Sequence, residues 1–188
     1  LSFLESGLLS DVVEPLLSQE PLSANGSPLP KNLTLPNLIK KYGLTVQEVE
    51  DVNNPDFIST VINDAEVTGA ISVRSYPIFK PEIIGVFKEK GFMWNLHTGL
   101  LPKYRGVFIP YHALANSEKE YGWTLHDIAP DIDFGDIIAT DTIPLLPQNP
   151  VLDTYLEMTS KGASMVIGAL MCFQKRGSVP KIKQTEFL

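Results

Sequence analysis

The chain has a single cysteine, Cys172, which excludes an internal disulfide and a cysteine-based metal site. It sits in an apolar stretch, where a small core residue is expected. Positive charge is also scarce. Against 22 acidic residues there are 15 lysines and arginines, a formal net charge of −7, which argues against a surface that tracks nucleic-acid phosphates. Lys175, Arg176, Lys181 and Lys183 form a local exception near the C-terminus and read as a solvated tail. Long hydrophobic runs are missing too. The longest, Gly162 to Phe173, is too short to cross a bilayer, and no charged leader with a cleavage site opens the chain. The expectation is a cytoplasmic protein with no membrane partner. Asn25-Gly-Ser and Asn32-Leu-Thr fit the glycosylation pattern but read as chance loop matches.

What is present is an ordinary globular composition, 44% hydrophobic and 20% charged over 188 residues, enough to enclose a core. No internal repeat or domain boundary stands out, so one domain is expected over residues 1–188. The first residues suggest a helix end, a break at Gly7 and a strand from Asp11 to Leu17. Residues 21–36, rich in proline, glycine, serine and asparagine, predict a surface loop. A helix from Asn37 to Tyr42, a strand from Val46 to Val52 and a helix opened by Asn54-Pro55 follow. Residues 69–79 predict a strand ending at Pro77, Glu82 to Lys90 a helix, and Phe92 to His97 a strand. Ile109 to Ala115 predicts a helix in which His112 packs, and Gly122 to Ile128 and Ile137 to Ile143 predict strands. Asp153 is the expected cap of a last helix ending near Lys175. Strands alternating with helices imply an α/β fold with a mostly parallel, doubly wound, Rossmann-like sheet, whose ligands bind beyond the carboxyl ends of its strands.

Asn95 and His97 fall at such an end. Side chains two apart on a strand share a face, so the two project together while Leu96 points away. An amide donor beside an imidazole suits a carbonyl oxygen that turns negative under attack, each donor contributing about 3 kcal/mol in the transition state. The same pair also serves as a structural cap at many strand ends. Further on, Asp127, Asp131, Asp133 and Asp136 crowd within ten residues. Such crowding calls for a cation, backbone donors or proton chemistry. Asp131 and Asp136 also fit turn and cap roles, and no histidine or glutamate joins them at metal-ligand spacing, so no metal is expected. Asp133, just before Phe134-Gly135, is the carboxylate expected beside His97, where it would favour the charged imidazole. His126 is expected to orient the acidic loop, and Trp123 to be core.

Four blocks in order, Asn95-Leu-His97, Gly99-Leu-Leu-Pro-Lys-Tyr-Arg-Gly106, Gly122-Trp-Thr-Leu-His126 and Ile132-Asp133-Phe-Gly-Asp-Ile-Ile138, resemble the folate-dependent formyltransferases. That family includes methionyl-tRNA, glycinamide ribonucleotide and sugar N-formyltransferases. The resemblance is strongest over residues 69–145. It implies Asn95, His97 and Asp133 as the catalytic set, N10-formyltetrahydrofolate as formyl donor and a primary amine as acceptor. It further implies folate contacts from Gly99, Leu100, Leu101 and Pro102, and from Ile128 and Asp131 in the acidic loop. Lys80 matches a substrate position in the sugar enzymes, and Arg105 would hold an acceptor phosphate or the folate glutamate; both also read as solvated charges.

The family's opening strand and its glycine-containing turn are not visible before Leu1, so a fragment trimmed at its N-terminus is expected. The tRNA branch carries a basic C-terminal domain, whereas this chain stops at Leu188 with an acidic balance. The expected acceptor is therefore a nucleotide-linked amino sugar, with methionyl-tRNA as the alternative and the purine-pathway acceptor third. A binding module with a decayed formyltransferase fold stays open beside both.

Overall fold

The computed structural model describes residues 2–5, 35–146 and 151–187. They fall into two compact units, Leu1–Val67 and Thr68–Leu188, where the sequence suggested no boundary. From residue 69 onward the chain closes its own sheet around its own core, which no local pattern announces.

In the first unit β1 (Ser2–Glu5) runs parallel to β2 (Val46–Val49), with Ser2 opposite Val46 and Glu5 opposite Val49. The start of the chain, expected to end a helix, is thus a strand; four residues are too few to display either period. The helix α1 (Leu35–Tyr42) begins two residues earlier than expected, with Pro36 in its first turn, and stops at Gly43, whose φ is 62°. The helix α2 (Pro55–Asn63) starts as its sequence indicates. Pro55 takes the first turn and the Asn54 side chain accepts from Asp56 N–H at 2.8 Å. The Gly7 break, the Asp11–Leu17 strand and the loop over 21–34 lie outside the described residues.

The second unit carries the order β3 (Gly69–Val73), α3 (Pro81–Lys90), β4 (Phe92–His97), α4 (Ile109–Ala115), β5 (Glu120–Asp127), β6 (Ile137–Pro144) and α5 (Val151–Arg176), then a short 3-10 turn at Gln184–Phe187. The expected α/β architecture is present. Its sheet is ordered β3-β4-β5-β6, with β3 and β4 parallel and the two later pairings antiparallel. Among the described residues the parallel character therefore stops at β4, because apolar patterning marks a strand without fixing its direction.

The core lies on one face of this sheet. Phe92, Trp94 and Leu96 alternate along β4 onto it and meet Trp123 and Leu125 of β5. Phe92 stacks on Trp94 at 4.1 Å between ring centroids, and Phe173 of α5 meets Phe92 edge-on at 4.9 Å. Gly162 lets α5 close down here: a Cβ at that position would stand 2.9 Å from Leu96 Cδ2. Cys172 is half-buried against the same cluster. Two expectations are corrected. The helix α5 starts at Val151, placing Asp153 in its first turn, where the helix dipole favours an acid as much as a capping role does. His112 is exposed, since Ile109, Pro110 and Ala113 take the buried side of α4. Among the described residues no helix is long and apolar enough to cross a membrane.

Candidate active site

With Leu96 committed to the core, Asn95 and His97 emerge on the opposite face of β4. The antiparallel register of β5 sets His126 directly opposite Asn95 and Thr124 opposite His97. After the irregularity at Leu125/His126 the chain leaves β5, loops through Asp131 to Asp136 and returns as β6. Asp133 holds a left-handed backbone, φ 49°, and the loop closes through Gly135, where a Cβ would fall 1.8 Å from the Asp127 carbonyl oxygen. Any other residue at 135 would push the loop outward. This turn carries the Asp133 carboxylate back over β4 and β5.

Four groups converge on that carboxylate. Its Oδ2 lies 3.3 Å from His97 Nδ1 and accepts from Gly106 N–H at 2.8 Å. Its Oδ1 lies 3.5 Å from His126 Nε2 and accepts from Asn95 Nδ2 at 3.3 Å. The ring protons follow from the other contacts. His97 Nε2 faces the Tyr104 carbonyl at 2.7 Å, so that nitrogen carries the hydrogen and Nδ1 is the open edge. His126 Nδ1 likewise donates to the Asp127 carbonyl at 2.7 Å, leaving Nε2 to accept from Asn95 Nδ2 at 3.2 Å. The expected role of His126 thus takes a definite form: it holds Asn95, whose amide nitrogen also donates to Asp133.

Burial, chiefly, pulls the His97 pKa below its ordinary value of 6.5, against the raising influence of the Asp133 carboxylate and the Tyr104 carbonyl. Asp133 favours the charged imidazole, as expected, but desolvation outweighs it, so the ring is neutral at neutral pH. Burial would raise Asp133, but the neighbouring His126 and His97 rings and the Gly106 N–H outweigh it and hold the carboxyl below 3.8. The resting cluster holds a carboxylate flanked by a neutral His97.

A cavity of about 610 Å³ opens in front of this cluster. Asn95, His97 and Asp133 line it, as do Ile128 and Asp131 from the acidic loop. Tyr76, Ile78, Val107, Phe108 and Ile132 give it apolar walls, and each of them is exposed. Among the described residues four non-glycine positions have positive φ, and three of those, Arg74, Phe108 and Asp133, line this cavity. Sparsely populated backbone conformations cluster where a site is built.

The other expected contacts fall elsewhere. Gly99, Leu100, Leu101 and Pro102 stand behind the cluster and not on the cavity wall. Thr124 Oγ1 donates to the Gly99 carbonyl at 2.7 Å and accepts from Leu101 N–H at 3.1 Å, so the loop is pinned to β5 and holds the Tyr104 carbonyl on His97. Lys80 occupies the N-cap position of α3, one residue beyond Phe79, the last residue of that segment on the wall. Arg105 turns away: its Nε and Nη2 donate to Gln184 Oε1 at 3.2 and 2.8 Å, and its guanidinium covers the Phe134 ring at 4.4 Å. Among the described residues, the lysine or arginine that lines the cavity is Arg74, just past the end of β3. Sequence inspection passed over Arg74 and Gln184. The break of β3 before Pro77 could have pointed to the former; no local signal marks the latter.

Comparison with known proteins agrees with this architecture. The formyl transferase family profile matches residues 55–170. A methionyl-tRNA formyltransferase of Chlorobium luteolum is 33% identical over 148 residues, 79% of this chain and 45% of that protein. Among solved structures, glycinamide ribonucleotide transformylase 1 of Symbiobacterium toebii superposes with a TM-score of 0.63 at 18% identity, covering 77% of this chain and 73% of that one. The formyltransferase PseJ of Anoxybacillus kamchatkensis, solved with UDP-4,6-dideoxy-4-formamido-L-AltNAc and tetrahydrofolate, gives 0.62 at 22% identity, covering 82% and 78%. The chain spans about half the length of the curated relatives it matches. On the profile match, which takes in β4, β5, β6 and the whole Asn95–His97–Asp133 cluster, the chain belongs to the formyl transferase family.

Proposed function

We propose that the protein transfers a formyl group from N10-formyltetrahydrofolate to a primary amine. The observation that carries this is the convergence of Asn95, His97 and Asp133 at one end of an apolar-walled cavity. Tyr76, Ile78 and Ile132 offer flat apolar surface for a pterin ring, and the acidic loop from Ile128 to Asp131 offers backbone groups for its edge.

The chain's own residues supply the proton chemistry. As the amine attacks the formyl carbon, a C–N bond forms and the carbonyl electron pair moves to oxygen. Neutral His97 accepts the amine's proton at Nδ1, its open edge. The resulting imidazolium is stabilised by the adjacent Asp133 carboxylate. It donates, together with Asn95 Nδ2, to the oxyanion, at about 3 kcal/mol per donor. At rest Asn95 Nδ2 already donates to the Asp133 carboxylate, so the site holds that amide beside one negative charge before a second develops. Collapse of the oxyanion breaks the bond to folate N10, and the proton leaves His97, directly or through water, for that nitrogen.

For the acceptor, a nucleotide-linked amino sugar is supported by the acidic balance of the chain, 22 against 15, and by Arg74 on the cavity wall as a partner for a diphosphate. A second reading, the amino group of methionyl-tRNA, is favoured by the curated relatives, several of which are methionyl-tRNA formyltransferases. Supplying N10-formyltetrahydrofolate with UDP- and dTDP-linked amino sugars in one arm and methionyl-tRNA in the other decides between them. Formylated product is read by mass and tetrahydrofolate release by absorbance. A formamide in the sugar arm supports the first reading and one in the tRNA arm the second. Folate binding without transfer to either amine would overturn the enzymatic assignment in favour of a binding module.

A further inference from the structure

The segment after α5 returns to the acidic loop. Ile182 makes a two-way backbone bridge with Ile137, the first residue of β6, at 2.8 and 2.9 Å. Lys181 pairs with Asp127, the last residue of β5. Between these ties and the end of the chain, Gln184 inserts its side chain until only 2% of the residue is exposed. A buried primary amide must satisfy two donors and two lone pairs. Gln184 satisfies all four. Its Nε2 donates to the carbonyls of Asp133 and Gly135, each at 2.8 Å, and its Oε1 accepts twice from Arg105.

Those partners belong to different parts of the site. Arg105 ends the loop that presents the Tyr104 carbonyl to His97, and the next residue, Gly106, donates its N–H to Asp133 Oδ2. The Asp133 carbonyl belongs to the one acidic residue that His97, His126 and Asn95 all face. One amide thus joins Arg105 of the 99–106 loop to the backbone that carries the carboxylate, gripping a non-glycine residue held at φ 49°. Without that grip the turn has reason to relax, and relaxation moves the carboxylate.

We propose that Gln184 is a positioning residue for Asp133, and that Arg105 serves the site through Gln184 and not by holding a substrate anion. In its catalytic consequence this rests on the formyl-transfer reading above; in its geometry it does not. Three variants test it. In Gln184→Leu the amide is lost; in Arg105→Ala, at an exposed position, only the acceptor side of the clamp is lost. Val179→Ala loosens the same segment at a buried apolar residue of the core cluster.

Two readouts are taken on folded protein: kcat and KM for transfer, and the His97 ring titration followed by NMR. Gln184→Leu is expected to lose about 10- to 100-fold in kcat with KM within about threefold. Its His97 pKa should fall further, because the carboxylate that raises it has moved. Arg105→Ala should show the same pattern in weaker form, and Val179→Ala neither change at comparable stability. The proposal is overturned if Arg105→Ala raises KM while sparing kcat, or if Val179→Ala matches Gln184→Leu. If no amine is formylated at all, the titration still decides: an unmoved His97 pKa in Gln184→Leu overturns the positioning role.

Discussion

Asp133 Oδ2 and His97 Nδ1 stand 3.3 Å apart, longer than a charge-assisted hydrogen bond, while His97 Nε2 is committed to the Tyr104 carbonyl at 2.7 Å. The imidazole is therefore anchored at one nitrogen and open at the other. An open edge beside a carboxylate is where a proton arriving from an attacking amine is best received.

The first consequence is a pH dependence. In the proposed mechanism transfer needs neutral His97, and burial holds its pKa below 6.5. The acid limb of kcat, measured with donor and amine both saturating so that ionisation of the free amine drops out, is expected to lie below pH 6.5 with a plateau above it. A pH–rate profile read with a saturating donor checks this. An acid limb above pH 6.5 would mean that the carboxylate, and not burial, governs the ring.

Replacing the carboxylate tests its two roles together. Asp133→Asn keeps the size but loses the charge that steadies the imidazolium, so kcat is expected to drop by about 10³-fold. The same change removes the influence that raises His97, so the residual acid limb should move to lower pH. Folate affinity, measured by fluorescence quenching, should change little.

Stability should depend on acid in the same direction. His97 and Asp133 both have folded pKa values below their ordinary ones, 6.5 and 3.8. As pH falls through each ordinary value, the unfolded chain takes protons before the folded one does. Their contribution is thus fully present above about pH 6.5. It declines first below 6.5 through His97 and again below 3.8 through Asp133. Urea midpoints between pH 8 and pH 5 should fall in the wild type and much less in His97→Gln.

Gly99 is a packing constraint placed beside the chemistry. A Cβ there would lie 2.8 Å from the Tyr104 carbonyl oxygen, 2.9 Å from His97 Nε2 and 2.9 Å from Ile109 Cγ2. Gly99→Ala is expected to cost about 1–3 kcal/mol of stability, as overpacking does. It should also lower kcat by displacing the carbonyl that anchors His97. A thermal melt paired with the transfer assay checks both effects.

Much of this was legible before any coordinates because it is local. Asn95 and His97 share a face through the period of a strand, and the core role of Trp123 follows the same alternation. Asp133 is singled out by its place before Phe134-Gly135, but the way it reaches His97, through a left-handed turn closed by Gly135, has no local signature. Arg105 shows where local inspection fails. An arginine after Lys103-Tyr104 reads as a free cation, yet its partner is Gln184, 79 residues on, in a tail whose composition looks solvated. His112 was misjudged for a related reason: Ile109 and Ala113 claim the inward side of a seven-residue helix and leave the histidine outside.

The central claim is that His97 performs the proton transfer and does not merely brace a folate pocket. The decisive measurement is a pair of numbers for His97→Ala, single-turnover formyl transfer from N10-formyltetrahydrofolate and equilibrium binding of tetrahydrofolate. The account predicts transfer slowed by about 10³-fold with binding within about threefold of wild type. Transfer at near wild-type rate, or a loss explained entirely by weakened folate binding, would contradict it.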